Sequence, residues 1–405
     1  MPADQVSKPT TSVPLHSPDF YAGDIYPAYQ ELRRTAPVVW NDDMKFWALL
    51  KYEDCRYVSS NPGLFTSTKG VTIPDPAFPD APVHEGSLLF TDPPRHRQLR
   101  KLINSGFTKR QVTLLEAKVR NLVKDIVDGI DTSREYEFAE EIAAPLPTRI
   151  IAEMLGAPPE DWEKFRTWSD AAVGSADPEI EMDSFVAAGQ LYEYFMKLIE
   201  ARRSGEVVDQ NDLLSVLAAA EVDGERLSDN DLLNFSFLLL VAGNETTRNL
   251  IALGTLALIR HPDQFALLRS NPALLPSAVE EMLRFTSPVT HMARVANKDV
   301  EIRGQKIAAG EIVVMLYGAA NRDEDVFGPT AEEFDITRSP NPHIAFGAGE
   351  HSCLGAQLAR LEALVMFEVL LGTYPTIELT GEVTRLRATM VPGVKRMPVR
   401  LGASA

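Results

Sequence analysis

Apolar residues recur at spacings of three and four along much of the chain, which is the pattern of amphipathic α-helices. Three such stretches cover residues 99–131, 159–169 and 182–203. Strand-like runs are shorter and fewer, and the clearest cover residues 46–50, 299–302 and 311–317. The pattern therefore predicts a mainly α fold with a small β-rich part.

The longest predicted helix begins after Ser228. Ser228 and Asp231 have the spacing of a capping box, and Leu227 and Leu232 are placed to form a hydrophobic staple. No strong stop signal follows until the His-Pro pair at 261–262. A helix of about 32 residues is therefore predicted, and at 1.5 Å per residue it is about 48 Å long.

Proline and glycine break the helical pattern in two places. Residues 63–90 contain four prolines and three glycines, which predicts a long loop of the kind that is usually functional. Residues 1–20 are also interrupted by proline and predict a flexible N-terminal segment. No internal repeat or linker divides residues 1–405, so a single domain is expected.

Composition and charge narrow the class of protein. Apolar residues make up 45% of the chain and charged residues 24%, as in soluble globular proteins. Lys and Arg number 40 against 57 Asp and Glu, and the net charge of −17 argues against a nucleic-acid partner. The apolar run at 237–242 is too short to span a membrane, and the start of the chain does not read as a signal peptide. A cytoplasmic protein without stable membrane insertion is expected.

Small and polar residues interrupt the apolar interior of the long predicted helix. Residues 241–247 include Gly243, Glu245, Thr246 and Thr247. Glycine costs about 1 kcal/mol in a helix interior, and a buried acid without partners is also costly. Two interpretations stay open. Either Gly243 permits a close helix crossing while Glu245 faces solvent, or a widened turn lies beside a ligand and Glu245 and Thr246 handle protons.

A second candidate group surrounds Cys353. Residues 346–355 contain three glycines, which let the backbone approach a flat group closely. Cys353 precedes a predicted helix start, where the helix dipole and free amides favour a thiolate. A zinc site would need more ligands than the nearby His351, and a cysteine nucleophile would need a base that is not identifiable. Without its flanking residues, Cys353 would be interpreted as a small structural residue, which is also the interpretation of Cys55.

The segment around Cys353 strongly resembles the heme-binding signature of the cytochrome P450 family, the heme-thiolate monooxygenases. Four other motifs of that family occur in the family's order within residues 92–362. They are Asp92 to Arg100, Ala242 to Thr247, Glu281 to Arg284 with Arg338, and Ala319 to Asp323. The resemblance implies a cytochrome P450 fold with bound heme b.

By this resemblance, Cys353 is the thiolate ligand of the heme iron, a ligand type that favours O–O bond cleavage. Glu245 and Thr246 are implied to be the acid–alcohol pair that delivers protons during oxygen activation.

Other residues are implied by the resemblance to hold the heme. His96 and Arg100 are expected to bind its propionates, and Arg294 and His351 join them, because charged hydrogen-bond donors suit carboxylates. Further contacts are implied for Ala242, Phe346, Gly347 and Gly355.

Glu281 and Arg284 lie at i and i+3 on one face of a predicted helix. The resemblance implies that they form a charged cluster with Arg338 that braces the core on the heme side. A solvated surface pair is the alternative for an arbitrary Glu-x-x-Arg sequence.

The resemblance also indicates where a substrate binds. It places residues 63–90 and 237–247 on the substrate side of the heme, and the pocket is implied to be lined by Val289, Met292, Met390 and Val391. This aliphatic lining suits a large apolar molecule. His84 and His291 lie in the same segments. Each could hydrogen-bond a substrate hydroxyl or carbonyl, but both are interpreted as histidines that bond to backbone or water.

Residues 242–249 and 340–343 look most similar to the actinobacterial branch of the family, which oxidises sterols, methyl-branched lipids and isoprenoids. The implied reaction inserts one oxygen atom of O2 into an unactivated C–H bond. Because the chain contains no flavin or iron–sulfur motif, electrons are expected from a ferredoxin and its NAD(P)H-dependent reductase. Residues 95–110 carry six Lys and Arg and no acid, and they are expected to dock the ferredoxin on a monomeric enzyme.

Three alternatives stay open at the level of the sequence. A natural-product hydroxylase is one, because enzymes that act on polyketides and macrolides share much of this framework. A peroxide-driven enzyme is another, although the intact Glu245–Thr246 pair and the basic residues argue against it. The third is a heme-binding lipid sensor or carrier without turnover.

Overall fold

The computed structural model describes residues 8–74, 87–104, 107, 109–174, 176–205, 212–222 and 224–402. Its α-helices are α1 (Pro18–Ala22), α2 (Tyr26–Thr35), α3 (Tyr52–Ser60), α4 (Arg95–Asn104), α5 (Lys109–Asp128), α6 (Pro145–Met154), α7 (Trp162–Val173), α8 (Ser184–Arg203), α9 (Leu213–Ala219), α10 (Asp229–Arg260), α11 (Pro262–Ser270), α12 (Leu275–Thr286), α13 (Tyr317–Ala320), α14 (Glu324–Phe327) and α15 (Ala356–Thr373). Its strands are β1 (Val38–Asn41), β2 (Phe46–Leu49), β3 (Phe65–Thr66), β4 (Tyr136–Glu137), β5 (Glu221–Val222), β6 (Glu225–Arg226), β7 (His291–Ala296), β8 (Val300–Ile302), β9 (Gln305–Ile307), β10 (Ile312–Leu316), β11 (Thr376–Leu379), β12 (Thr384–Arg385), β13 (Val394–Arg396) and β14 (Pro398–Gly402). Short 3₁₀ turns cover Leu88–Phe90, Pro159–Asp161, Pro272–Leu274 and Gly349–His351, and a π-helical turn covers Phe138–Ala143.

A mixed five-stranded sheet joins early strands of the chain to strands from its last third. Its order is β1-β2-β10-β7-β3, with β10 parallel to β2 and the other neighbours antiparallel. A second sheet has the order β11-β14-β4, and β5–β6, β8–β9 and β12–β13 are two-stranded. The predicted strands at 46–50, 299–302 and 311–317 correspond to β2, β8 and β10. The mainly α fold with a small β-rich part is confirmed.

Helix α10 has the start and the end that the sequence predicts. The Ser228 hydroxyl accepts a hydrogen bond from the Asp231 amide at 3.1 Å, and Asp231 accepts one from the Ser228 amide at 3.1 Å. Leu227 and Leu232, the residues of the expected staple, are both buried in the same apolar core. The helix runs for 32 residues and ends before His261.

The predicted helical stretch over residues 99–131 contains two helices, α4 and α5. The apolar spacing continues across both because Leu99 on α4 and Val119 on α5 enter the same core. The other two predicted helices correspond to α7, which follows the 3₁₀ turn Pro159–Asp161, and to α8.

The flexible segment expected over residues 1–20 is wrong for residues 8–20. The Trp40 amide donates to the Pro9 carbonyl at 2.7 Å, and Leu15 is fully buried in a cluster with residues of β1 and β2. Backbone pairing and apolar burial tie this segment to the five-stranded sheet. Residues 1–7 lie outside the described part of the chain.

The largest apolar core lies among α5, α6, α8, α10 and α15, and two smaller clusters cover the two faces of the five-stranded sheet. Helix α10 crosses the largest core and packs against α6, α7, α8, α12 and α15. Within the described residues, no helix is both long enough and apolar enough to cross a membrane.

Candidate active site

A cavity of about 390 Å³ lies beside the middle of α10 and the start of α15. It is lined by the following residues that the sequence singled out: His96, Arg100, Ala242, Thr246, Val289, Met292, Arg294, Phe346, Gly347, His351, Cys353, Gly355, Met390 and Val391. Residues that are distant in sequence therefore meet around one space.

Cys353 is accessible from this cavity although it lies deep in the protein. Its amide donates to the Phe346 carbonyl at 2.8 Å. Burial raises the pKa of Cys353, while the amides of Gly355 and Ala356 and the charge of Arg100 act in the opposite direction. Cys55, in contrast, is fully buried away from the cavity and lies 3.6 Å from the Leu49 carbonyl. Of the two cysteines, Cys353 is the one placed to bind a ligand.

Glycines bring the backbone before Cys353 close to its neighbours. Gly349 has a φ of +68°, and a Cβ at this position would clash with the carbonyl oxygen of Ser59. Gly347 has a φ of +69°. A Cβ on Gly355 would meet no heavy atom within 4 Å, so the cavity is open beside it. The segment leaves room for a flat group next to the thiol.

Four nitrogen-bearing side chains, His96, Arg100, Arg294 and His351, line the cavity, and among the described residues only His96 has a carboxylate at ion-pair distance, Glu350 at 4.0 Å. The His96 and His351 rings are 4.1 Å apart, and both ring nitrogens of His96 and Nε2 of His351 are buried without a hydrogen bond among the described residues. Burial lowers the pKa of His96, and burial together with Arg294 lowers that of His351 to about 3. Burial also lowers the pKa of Arg100 and Arg294, and neither forms an ion pair with a carboxylate of the described residues. The donors suit an anionic ligand.

Thr246 and Gly243 lie about one turn apart on α10, and both line the cavity. The Thr246 hydroxyl lines the cavity and donates to the Ala242 carbonyl at 2.7 Å. A Cβ on Gly243 would lie 2.9 Å from Cδ1 of Ile151, so this glycine permits the close crossing of α10 and α6. The widened turn, one of the two open interpretations, is absent from α10, which is α-helical throughout this segment.

Glu245 neither faces solvent nor lines the cavity wall. It is 1% exposed, and its carboxylate pairs with Arg248 at 2.5 Å. Arg248 also pairs with Asp170 at 2.8 Å and with Glu140 at 3.4 Å. Burial raises the pKa of Glu245; Arg248 lowers it, and Asp170 and Glu140 raise it further. The solvent-facing interpretation of Glu245 is wrong, because this buried network holds the side chain on the side of α7 and the π-helical turn.

Glu281, Arg284 and Arg338 lie together. Arg284 donates from Nε and Nη2 to the two oxygens of Glu281, each at 2.7 Å, and Arg338 Nε lies 3.2 Å from Glu281. The side chains of Glu281 and Arg284 are both 0% exposed. The cluster is therefore buried and not a solvated surface pair.

One part of the cavity lining is an apolar wall. Val289, Met292, Met390 and Val391 lie there together with Phe237. His291 is buried and lies beside this wall, where its Nε2 accepts a hydrogen bond from the Ile73 amide at 3.3 Å. The interpretation of His291 as a backbone-bonded histidine is confirmed. Residues 75–86, with His84, lie outside the described residues.

Several residues near the site carried little or no sequence signal. Arg248 follows Glu245 by three positions, a helical ion-pair spacing that was open to detection. Asp170 and Glu140 come from other elements and have no local signal. Glu362 lines the cavity, and its burial raises its pKa to about 8.

Comparison with known proteins identifies the family. The cytochrome P450 family model matches residues 177–390. The methyl-branched lipid omega-hydroxylase of Mycobacterium tuberculosis (strain ATCC 25618 / H37Rv) is 39% identical and covers 96% of this chain and 95% of its own length. The steroid C26-monooxygenase of the same strain is 40% identical and covers 96% of both chains. The solved structure of Mycobacterium marinum cytochrome P450 CYP268A2 in complex with pseudoionone is 36% identical, covers 97% of this chain and 99% of that one, and has a TM-score of 0.89. The chain therefore belongs to the cytochrome P450 family of heme-thiolate monooxygenases.

Proposed function

We propose that this monooxygenase hydroxylates a large apolar substrate: a methyl-branched lipid, a steroid or an isoprenoid. The observation that carries the proposal is the apolar wall at Phe237, Val289, Met292 and Val391, which shares one cavity with Cys353. Such a wall holds a substrate by shape and by burial of apolar surface. Two relatives are named for a methyl-branched lipid and a steroid, and a similar structure contains pseudoionone.

The residues around the cavity fit heme b. Cys353 would bind the iron, and the open space beside Gly355 would take part of the flat ring. The propionates would be bound by His96, Arg100, Arg294 and His351. Among the described residues, the ring nitrogens of His96 and Nε2 of His351 form no hydrogen bond, and neither arginine forms an ion pair with a carboxylate. Heme, when bound, supplies the redox-active iron for oxygen activation.

Thr246 and Glu245 are proposed to handle protons. Thr246 carries a hydroxyl proton at the cavity wall, one residue after a buried acid. Glu245 is held by Arg248, so it can pass a proton towards Thr246 only when its side chain leaves that ion pair. Glu245 is therefore a proton carrier whose release from Arg248 accompanies turnover.

Electrons are proposed to come from a ferredoxin and an NAD(P)H-dependent reductase. Of the basic residues at 95–110, Arg95, Arg97 and Lys101 are exposed on α4, whereas Arg100 lines the cavity. Arg95 pairs with Asp231 and Arg97 with Glu350. The side chains of residues 109 and 110 lie outside the part that the structure describes. Exposed cations suit a transient contact with an acidic protein. Turnover with hydrogen peroxide as fast as turnover with ferredoxin and reductase would contradict this proposal.

An optical titration tests the substrate class. The ferric protein is titrated with a methyl-branched fatty acid, a sterol and pseudoionone, and displacement of water from the iron is read as a change in spin state. A saturable change with one of these supports the proposal, and product formation with ferredoxin, reductase and NAD(P)H then excludes a carrier without turnover. No change with any of them in the heme-loaded protein would contradict the lipid class.

The proton role is tested with Thr246→Ala and a matched control. Thr255 lies on the same helix, is buried, and donates to the Ile251 carbonyl at 2.8 Å as Thr246 donates to Ala242. We expect Thr246→Ala to lower the fraction of NAD(P)H electrons recovered in product by roughly tenfold. Thr255→Ala should leave that fraction unchanged. Equal coupling in the two variants would contradict the proton role of Thr246.

A further inference from the structure

Three side chains near the Cys353 segment form a hydrogen-bonded group with no role in the proposals above. Arg360 on α15 donates from Nε and Nη2 to the two carboxylate oxygens of Glu280 on α12, at 2.6 and 2.8 Å. His343 Nε2 lies 3.1 Å from Oε2 of the same carboxylate. Glu280, His343 and Arg360 are named the Glu280 cluster here.

The Glu280 cluster is bonded to the backbone that leads to Cys353. The Ala345 amide donates to Nδ1 of His343 at 3.3 Å. Because Nδ1 accepts this bond, Nε2 carries the ring proton and donates it to Glu280. The guanidinium carbon of Arg360 lies 4.6 Å from the centre of the Phe346 ring, which is a cation–π distance.

Phe346 connects the Glu280 cluster to the thiolate residue. Its carbonyl accepts the 2.8 Å hydrogen bond from the Cys353 amide, and its side chain lines the cavity. A displacement of Phe346 would therefore move the backbone of Cys353 and the cavity wall together.

The Glu280 cluster also places charge near Cys353. Burial raises the pKa of Glu280, but hydrogen bonds from Arg360 and His343 outweigh burial and lower the pKa to about 2. Glu280 is therefore ionised at neutral pH and neutralises Arg360. Arg360 lies on α15, which begins three residues after Cys353, and its guanidinium contacts the ring of Phe346, so its charge lies beside the Cys353 segment.

We infer that the Glu280 cluster is a positioning device that holds Phe346 and sets the net charge beside Cys353, and that it thereby tunes the reduction potential of the heme. The inference rests on Cys353 being the heme ligand, as proposed above. A positive charge near the iron favours its reduced state, and a negative charge disfavours it.

Reduction potentials of heme-loaded variants test the inference. Glu280→Gln leaves Arg360 unneutralised, so the potential should shift upwards. Arg360→Gln leaves Glu280 unneutralised, so the potential should shift downwards. At a fixed applied potential, each substitution should change the ratio of reduced to oxidised protein by at least about threefold.

Two further variants serve as controls. Arg360→Lys keeps the positive charge and should have a potential close to that of the unsubstituted protein. Glu368 lies on the same helix as Arg360 and forms an exposed ion pair with Arg120 at 3.1 Å. Glu368→Gln should therefore not shift the reduction potential.

Two results would overturn the inference. In one, the potentials of Glu280→Gln and Arg360→Gln shift in the same direction; in the other, they shift no more than that of Glu368→Gln. A purely structural role would not make the direction of the shift depend on the sign of the charge that is removed. If Arg360→Gln does not fold, an unchanged potential in Glu280→Gln is sufficient to overturn it. The reduced carbon monoxide complex distinguishes this failure from failure of the proposed function. A thiolate-type spectrum that persists in Cys353→Ser refutes the ligand assignment, whereas an intact spectrum in Glu280→Gln without a shifted potential refutes the Glu280 cluster alone.

Discussion

Replacing Glu281 by Gln should destabilise the protein far more than loss of an exposed glutamate. The two oxygens of Glu281 accept two hydrogen bonds from Arg284, each at 2.7 Å, and one from Arg338 at 3.2 Å. They also accept bonds from the Asp335 amide at 2.9 Å and from the Asn341 side chain at 3.0 Å. Glutamine keeps the shape of the side chain but removes its charge and turns one acceptor into a donor.

The size of the effect follows from burial. The Arg284 side chain is 0% exposed and that of Arg338 is 8% exposed, so neither cation can be solvated when the carboxylate is lost. Breaking a buried ion pair by removing one partner costs about 3–5 kcal/mol. We expect the free energy of unfolding to fall by that amount in Glu281→Gln.

Glu31→Gln is the matched control. Glu31 pairs with Arg34 at the same i,i+3 spacing and at 2.7 Å, but the two side chains are 57% and 70% exposed. Loss of such a surface pair costs less than about 1 kcal/mol. Urea unfolding of the heme-loaded proteins, followed by circular dichroism and heme absorbance, compares the two variants. Equal unfolding midpoints for Glu281→Gln and Glu31→Gln would refute the reasoning from burial.

Two other predictions concern the cavity. Gly349→Ala should lower heme content, because its Cβ would clash with the Ser59 carbonyl at a φ of +68°. Gly63→Ala, whose Cβ would meet no atom within 4 Å, is the control, and equal heme absorbance per protein in both would contradict this prediction. Burial raises the pKa of Glu362 to about 8, above an unfolded value of about 4.3, so the folded state binds the proton more tightly and stability should fall as pH rises between these values. Glu362→Gln should remove this loss of stability at higher pH. If the stability of the two proteins depends on pH in the same way, burial of Glu362 does not control that dependence.

The sequence predicted those parts of the site whose residues lie close together in the chain or belong to motifs that occur in the order typical of the family. Cys353 and its glycines lie within ten residues of one another, and the resemblance linked them to His96, Arg100 and Arg294, which the structure places around the same cavity. The direction of Glu245 was not predictable in this way. Its motif is local, but the groups that hold it are not.

The sequence by itself determined the length and capping of α10 and the residue types around Cys353, because hydrogen bonds and spacings within a few residues decide them. The tertiary structure decided that Glu245 turns from the cavity, since Asp170 on α7 and Glu140 on the π-helical turn hold Arg248 in place. It also decided that residues 8–20 pack against the five-stranded sheet and that the Glu280 cluster assembles beside Phe346. In each case the burial and pairing of a side chain depend on elements that are remote in sequence, and a local pattern contains no information about which of them will meet.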